Sequence, residues 1–541
     1  MSKKSKTLRA LACILSLMMA VALFAACAQP QQPATPAPGA GTATTPPAAT
    51  TTPGATPPVQ EGFHPDNFAP MPAGYTIRIL TISHDGSLIA PDHPAISNLQ
   101  EWTGVNIEME FVLDANFDEM MNTRLVAGDM PGIATIRANT GPIVSAATSG
   151  AFWDLTDYLQ HYSQLGTILN PVVMNNISIN GRHFGIYRER DIGRNGIVYR
   201  SDWAEYLGLG TPETMDDLFN LLEAFTVNNP QPNGGQTYGM TWSVFMGPFN
   251  NLAVMHGAPN RWEVVDGEFV PWFESEGFYE AMQFSRRLFE GGIINPDFAA
   301  LQTGEWHRDF STSISGVHID VADEANNAVR RLRENGFLTQ EQIDDGEAVW
   351  VTGPVTNRSG ERRLMATPGH LGYIAITTSG APTEQDLHYH LQFLNRLQYN
   401  DAADTLRWGA EGYNWHMVNG QVQQVPQGDV PDGRGVITGL GQLVMSRYNN
   451  SQTVSTPVGA RVIEVQSANL AYVIHDPTLP LRSDTWTARS ATLNQIIEDA
   501  VVNYIMGRID RAGFEAAIAN WYAEGGQDAI NEFGAALAAI G

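Results

Sequence analysis

The chain is nearly without lysine and cysteine. Its three lysines, Lys3, Lys4 and Lys6, stand at the start of 541 residues, and every later basic residue is arginine. Beyond residue 6 there is no lysine to cradle a phosphate or form a Schiff base, which excludes P-loop, kinase and pyridoxal-phosphate chemistry. The two cysteines are Cys13 and Cys27, so the body of the chain has no thiol nucleophile, no cysteine–zinc site and no disulfide. Its stability must come from a large apolar core. Positive charge is also scarce: 31 basic side chains face 57 acidic ones, a net −26. Nucleic acid requires neutralisation of phosphates by Lys and Arg, so a nucleic-acid partner is not expected. No H-E-x-x-H and no G-x-S-x-G is present, which removes two common hydrolase signatures.

What is present begins with an export pattern. Lys3, Lys4, Lys6 and Arg9 precede an uncharged apolar run over 10–26, the layout of a signal peptide. Its removal leaves 27 arginines against 57 acids, a net −30. Phe24-Ala25-Ala26-Cys27 resembles a bacterial lipobox, with Phe24 where leucine is usual, and marks Cys27 for lipidation. Residues 28–60 carry no charge and are mostly Pro, Thr, Ala, Gly and Gln. Such a stretch cannot build a core, so 27–61 reads as a tether to the membrane surface.

The folded part alternates strand and helix signals. Residues 75–82 and 105–112 are β-branched and partly alternating, with helical patterns over 94–102 and 117–127 and Gly128 at a C-cap position. Thr214-Met215-Asp216-Asp217 has the form of a capping box, followed by apolar residues at helical spacing from Met215 to Phe225. Asp266-Gly267 sits between two short strand patterns as a hairpin turn. Helices are expected over 275–290 and 383–397, a buried strand over 372–377, and Gly-broken helices from about 490 to 540. The β-α-β-α order predicts an α/β sheet covered by helices.

Several segments, taken in order, resemble extracellular solute-binding lipoproteins of ABC importers, in particular the large sugar-type and alginate-binding members. They are Leu125-Val126-Ala127-Gly128-Asp129-Met130-Pro131-Gly132-Ile133, Gly181-Arg182-His183-Phe184-Gly185-Ile186, Tyr199-Arg200-Ser201-Asp202-Trp203, Leu288-Phe289-Glu290-Gly291-Gly292-Ile293-Ile294-Asn295-Pro296-Asp297-Phe298 and Trp408-Gly409-Ala410-Glu411-Gly412-Tyr413. Gly132 stands where the family has a second aspartate. The resemblance implies a two-lobed periplasmic-binding-protein-like α/β fold. An N-terminal lobe would comprise 62–188 plus 368–420 and a C-terminal lobe 189–367 plus 421–541. It also implies a ligand cleft between the lobes, hinge closure and delivery of a carbohydrate by a monomer to permease subunits in the membrane, without cofactor. Some relatives carry a calcium loop after the helix that here spans 214–225; in its place Asn228 to Thr237 contains no carboxylate, so no metal is expected there.

A sugar site needs aromatic platforms edged by hydrogen-bonding groups. The candidates are Trp242, Trp306, Trp408, Tyr413 and Trp415, with Glu411 in the same Gly-broken segment as the last three. His84 and Asp85 follow the first strand, where α/β sheets place ligand residues. Asp129 lies in a family motif, and Arg188 at the expected first crossing could pair a carboxylated sugar. Trp153, Trp203 and Trp521 fit helix cores, and Trp262 and Trp272 flank the hairpin as packing residues. Catalysis has little support: His388 and His390 are two apart on a helix and do not share a face. The other classes left open are a binder of peptides or other solutes on the same fold and a cell-surface polysaccharide-active enzyme.

Overall fold

A computed structural model describes residues 68–83, 88–231, 235–346, 348–425, 430, 439–446 and 456–540. The export segment, Cys27, the tether, His84 and Asp85 lie outside these residues. In chain order, the strands of the two main sheets are β1 (Tyr75–Ser83), β2 (Val105–Leu113), β3 (Ile133–Ile136), β4 (Ile186–Glu189), β5 (Asn195–Tyr199), β6 (Tyr238–Met240), β7 (Ser315–Val321), β8 (Trp350–Thr352) and β9 (His370–Ile376).

The first sheet has the order β2-β1-β3-β9-β4. β1 pairs in parallel with both β2 and β3, and β9 runs antiparallel to β3 and to β4. β1 to β4 therefore point the same way, and their carboxyl ends share one edge with the start of β9. Buried strands of Ile, Leu and Ala fill this core with the helices Pro94–Thr103, Asp114–Ala127 and Glu384–Arg396. Gly128 closes its helix with φ 67°, as the sequence requires. Gly372 holds φ +84°, and a Cβ there would lie 2.0 Å from the carbonyl oxygen of Ile136; only glycine lets β9 approach β3 so closely.

The second sheet has the order β8-β5-β7-β6. β6 runs parallel to β7, and β5 antiparallel to it. The capping box at Thr214 forms: Thr214 accepts from the Asp217 amide while Asp217 accepts from the Thr214 amide. Such a cap is worth about 1 kcal/mol. Asp266 (φ 53°) and Gly267 (φ 86°) make the hairpin turn between Trp262–Val265 and Glu268–Pro271, both residues left-handed as a type I′ turn demands. The C-terminal helices Asp484–Ile505, Arg511–Trp521 and Gln527–Ile540 pack Trp521 and Phe533 around Trp262.

The chain changes core three times. The first change falls between Tyr187 and Ile197 and the second between Leu364 and Tyr373. The third falls between Met445 and Val458, later than the position near 420 that the sequence suggests. Leu440, Leu443 and Met445 pack in the first core, so Leu440–Met445 still belongs to that lobe. Buried asparagines fix the crossings. Asn469 donates to the carbonyls of Gly193 (2.9 Å) and Asn195 (2.8 Å), and Asn260 donates to those of Ala366 (3.1 Å) and Ile474 (2.9 Å).

Candidate ligand-binding site

The strand directions select one edge of each sheet. β4 ends at Glu189 and runs directly into the first crossing. In the second sheet Asn195, just after that crossing, pairs with Val321 at the end of β7. The carboxyl ends of β1 to β4 and of β6 and β7 thus lie on the crossing side, where open α/β sheets bind ligands. A direct contact spans the lobes on this side: Arg482 donates to the carbonyl of Asn139, 3.0 Å away.

The first lobe brings polar groups to this edge. Arg137 follows β3 and reaches Asp114 and Asp118 at 3.3 and 3.4 Å, with its side chain 40% exposed. Asn139 accepts from the Tyr373 hydroxyl (2.9 Å) and donates to the carbonyls of Ile177 and Ser178. Arg188 is on this edge but turned inward. Its guanidinium donates to the carbonyls of Leu371 (2.6 Å) and Gln442 (3.0 Å) and to Gln442 Oε1. Burial, then Arg190 and Arg137, lower its pKa to about 10. Arg188 is therefore a clasp between β4, β9 and the 440–443 turn, with three of its donors engaged within the protein. This corrects its expected role as a free carboxylate clamp.

The 408–416 cluster also sits on this edge, because Tyr413 packs edge-on against His93 (ring centroids 5.2 Å) at the start of the helix that follows β1. Asn414 accepts from the Ala410 amide (2.8 Å), and the Trp415 indole donates to the carbonyl of Gly409 (2.9 Å). These bonds close the turn on itself and bury Trp415. Trp415 is consequently a staple and presents no stacking face, whereas Glu411, Tyr413 and His416 are left exposed. Trp408 is half-buried under the Arg407 guanidinium, 4.6 Å from its ring.

The second lobe contributes aromatics. Trp242 and Trp306 follow or flank the end of β6, yet both are core residues at 2% and 3% exposure. Trp242 packs edge-on against Phe298, and its amide donates to Asn295 Oδ1 (2.7 Å), which gives the Asn295-Pro296-Asp297 motif its structural use. The Trp306 indole donates to the carbonyl of Thr241 (2.8 Å). Neither ring is an open platform as expected from sequence. The exposed ring is Phe245, three residues after Trp242, 41% exposed and 5.3 Å from Trp306. Beside it Val244 is 42% exposed. Sequence reasoning missed Phe245 because phenylalanine reads as core. The available signal was its place between β6 and the Gly247-Pro248 helix start, where a bulky ring has nothing to fold under.

Asp129 is exposed but precedes β3, at the amino end of that strand and so at the edge of the sheet opposite the crossings. The missing second aspartate of its motif has a steric cause: a Cβ on Gly132 would lie 2.1 Å from His390 Nε2. His388 and His390 are both buried on the helix Glu384–Arg396, the former 2.8 Å from the Tyr162 hydroxyl. In the other motif, Arg200 pairs with Asp202 (2.7 Å) and lies 4.7 Å from the Trp203 ring; it ties a helix start to its sheet. Trp203, Trp262, Trp272 and Trp521 are buried, and Trp153 is half-buried with its indole on the carbonyl of Ala381.

Comparison with known proteins bears on this arrangement. No protein-family model matches the chain. The lipoprotein LipO of Bacillus subtilis (strain 168) is 29% identical over 471 residues, covering 84% of this chain and 91% of LipO. The polygalacturonan/rhamnogalacturonan-binding protein YtcQ of the same organism is 27% identical over 447 residues, covering 82% of this chain and 88% of YtcQ. Among solved structures, the solute-binding protein associated with an HMO-binding ABC transporter of Bifidobacterium longum infantis superposes with a TM-score of 0.66. It is 14% identical and covers 87% of this chain and 99% of that one. The chain is thus similar in sequence to a lipoprotein and to a polysaccharide-binding protein, and in fold to an ABC-transporter-associated solute-binding protein. Its fold is the two-lobed α/β fold of such solute-binding proteins, and YtcQ is named for binding a polysaccharide.

Proposed function

We propose that the protein is the substrate-binding subunit of an ABC importer and captures a carbohydrate, an oligosaccharide, between the two strand edges. The lobes are 62–188 with 368 to about 446, and 189–367 with 457–541. Closure presents the loaded form to the permease. Lipidation at Cys27 holds the monomer on the outer face of the cytoplasmic membrane, and the 27–61 tether gives it reach.

The observation that carries this reading is the pairing of a polar edge with an aromatic edge. Arg137, with Glu411 and Tyr413, offers hydrogen-bonding groups on one lobe. Phe245 offers a flat apolar face on the other. A pyranose has both kinds of surface, and the two named relatives are a lipoprotein and a polygalacturonan/rhamnogalacturonan-binding protein.

The test is thermal unfolding of the purified protein with galacturonan oligosaccharides, neutral oligosaccharides and peptides in parallel. A ligand at 100 times its Kd adds about 2.7 kcal/mol and raises Tm by a few degrees. A shift with oligosaccharide alone supports the reading, and galacturonides ahead of neutral sugars would place Arg137 on the ligand. A shift with peptides alone overturns the carbohydrate assignment. Release of shorter products from a polysaccharide would overturn the assignment to a pure binding protein.

A further inference from the structure

Behind Trp306 the second lobe gathers three groups that the ligand edge does not use. His307 begins the short helix Arg308–Ser311, His318 lies in the middle of β7, and Glu324 opens the helix Glu324–Glu334. One ligand atom from each lies within 4.8 Å of the others. His307 Nδ1 is 3.3 Å from Glu324 Oε1. We propose that His307, His318 and Glu324 form a binding site for one first-row divalent cation of the zinc type, and this rests on none of the carbohydrate reading.

Two observations carry it. First, the donor set is two imidazoles and one carboxylate, the three-ligand set with an open position that zinc accepts. Tetrahedral bonds of about 2.0–2.1 Å separate ligand atoms by roughly 3.3 Å. The His307–Glu324 separation already has that value, and the remaining ligand atom closes by no more than about 1.5 Å from the 4.8 Å limit. Second, these histidine nitrogens make no hydrogen bond, His307 Nδ1 facing only the Glu324 carboxylate. His318 is 3% exposed, and its Nε2 is buried without a hydrogen bond, as is His307 Nδ1. Buried nitrogens are otherwise paired, and one left alone costs on the order of a hydrogen bond.

The surroundings fit as well. Trp306 lies 4.1 Å from the His318 ring and 5.1 Å from the His307 ring (centroid distances), which fixes both orientations. Without metal, Glu324 is neutralised by Arg331 on Oε1 and accepts from Asn327 (3.2 Å) on Oε2. Arg331 has a second hold, its Nε donating to Ser311 Oγ at 2.9 Å. The cation replaces Arg331 on Oε1, and Arg331 stays anchored at Ser311. The arginine is thus a competitor built into the site, and removing it must strengthen metal binding.

The untagged, chelator-treated protein is titrated with Zn²⁺ against a chromophoric chelator, and with Co²⁺ for the visible absorption of four-coordinate cobalt. One equivalent is expected to bind, with that absorption. Glu324→Gln and His318→Gln should each weaken it at least 100-fold, and Arg331→Gln should tighten it about 10-fold. His475→Gln, at an exposed histidine, should change nothing. If His318→Gln does not fold by circular dichroism, His307→Gln, with its side chain 35% exposed, takes its place. Absence of stoichiometric binding, binding that survives these substitutions, or Arg331→Gln leaving affinity unchanged or weaker overturns the site.

Discussion

The two strand edges that meet at the crossings are built in opposite ways. On the first lobe the edge is made of charges and amides whose bonds are mostly satisfied within the protein: Arg188 to carbonyls, Arg137 to Asp114 and Asp118, Asn139 to Ile177, Ser178 and Tyr373. On the second lobe the edge is aromatic, with two buried tryptophans under one exposed phenylalanine. The difference teaches that a side chain can lie on the binding edge and serve only to hold it. Polar donors engaged with carbonyls are scaffold, and rings 2–3% exposed are foundation. What is free to touch a ligand is the outer layer, Phe245 and Tyr413, with Arg137 partly so.

The sharpest way to break the comparison is to remove a foundation from each side. Trp242→Ala deletes a fully packed indole and should cost about 3–5 kcal/mol. Arg188→Met leaves the carbonyls of Leu371 and Gln442 without their donor and should cost about 2–4 kcal/mol. Urea unfolding reads both. If either variant kept wild-type stability and lost ligand, the division into foundation and contact layer would be wrong for that lobe.

The outer layer should show the reverse pattern. Phe245→Ala removes a half-exposed ring, so its urea midpoint should move little, while oligosaccharide affinity falls about 10-fold, about 1.4 kcal/mol. Tyr413→Ala should weaken binding less, about 3-fold, because its ring already spends one edge on His93. Calorimetric titration with the oligosaccharide found by the thermal screen orders the two. A larger effect at Tyr413 would shift the stacking role to the first lobe.

The fold was legible in the sequence wherever one local rule decided the outcome. Gly128 could only end its helix, Thr214 and Asp217 could only cap theirs, and Asp266-Gly267 could only turn a hairpin. The tryptophans were harder, since indole serves equally as platform and as core, and only tertiary packing separates Trp242 from Phe245. Arg188 lies in β4, but its direction depends on Gln442, 254 residues away. The third crossing was misplaced for the same reason: nothing local in Leu440–Met445 says which core it joins. His307, His318 and Glu324 come together only through the sheet, so no spacing announces them.

A last difference separates the edges by pH. His370 on the first lobe is held at about 4, below its ordinary value of 6.5, by burial and then by Arg188 and Arg190. The unfolded chain binds a proton there between pH 6.5 and 4 and the folded chain does not. Its contribution to stability is therefore complete above pH 6.5 and lost as pH falls toward 4, on the order of 2 kcal/mol. Asp320, near the end of β7 on the second lobe, has the opposite sign. Burial raises it from 3.8 to about 6, with Asp323 adding and the Val321 amide and the Arg194 and Arg190 cations opposing, so the folded chain holds the extra proton and gains stability as pH falls through that range. His370→Gln should flatten the loss of stability between pH 6.5 and 4, and Asp320→Asn should steepen it. Urea midpoints measured across that range decide the matter: parallel slopes in the two variants would mean that neither group carries the burial that its edge gives it.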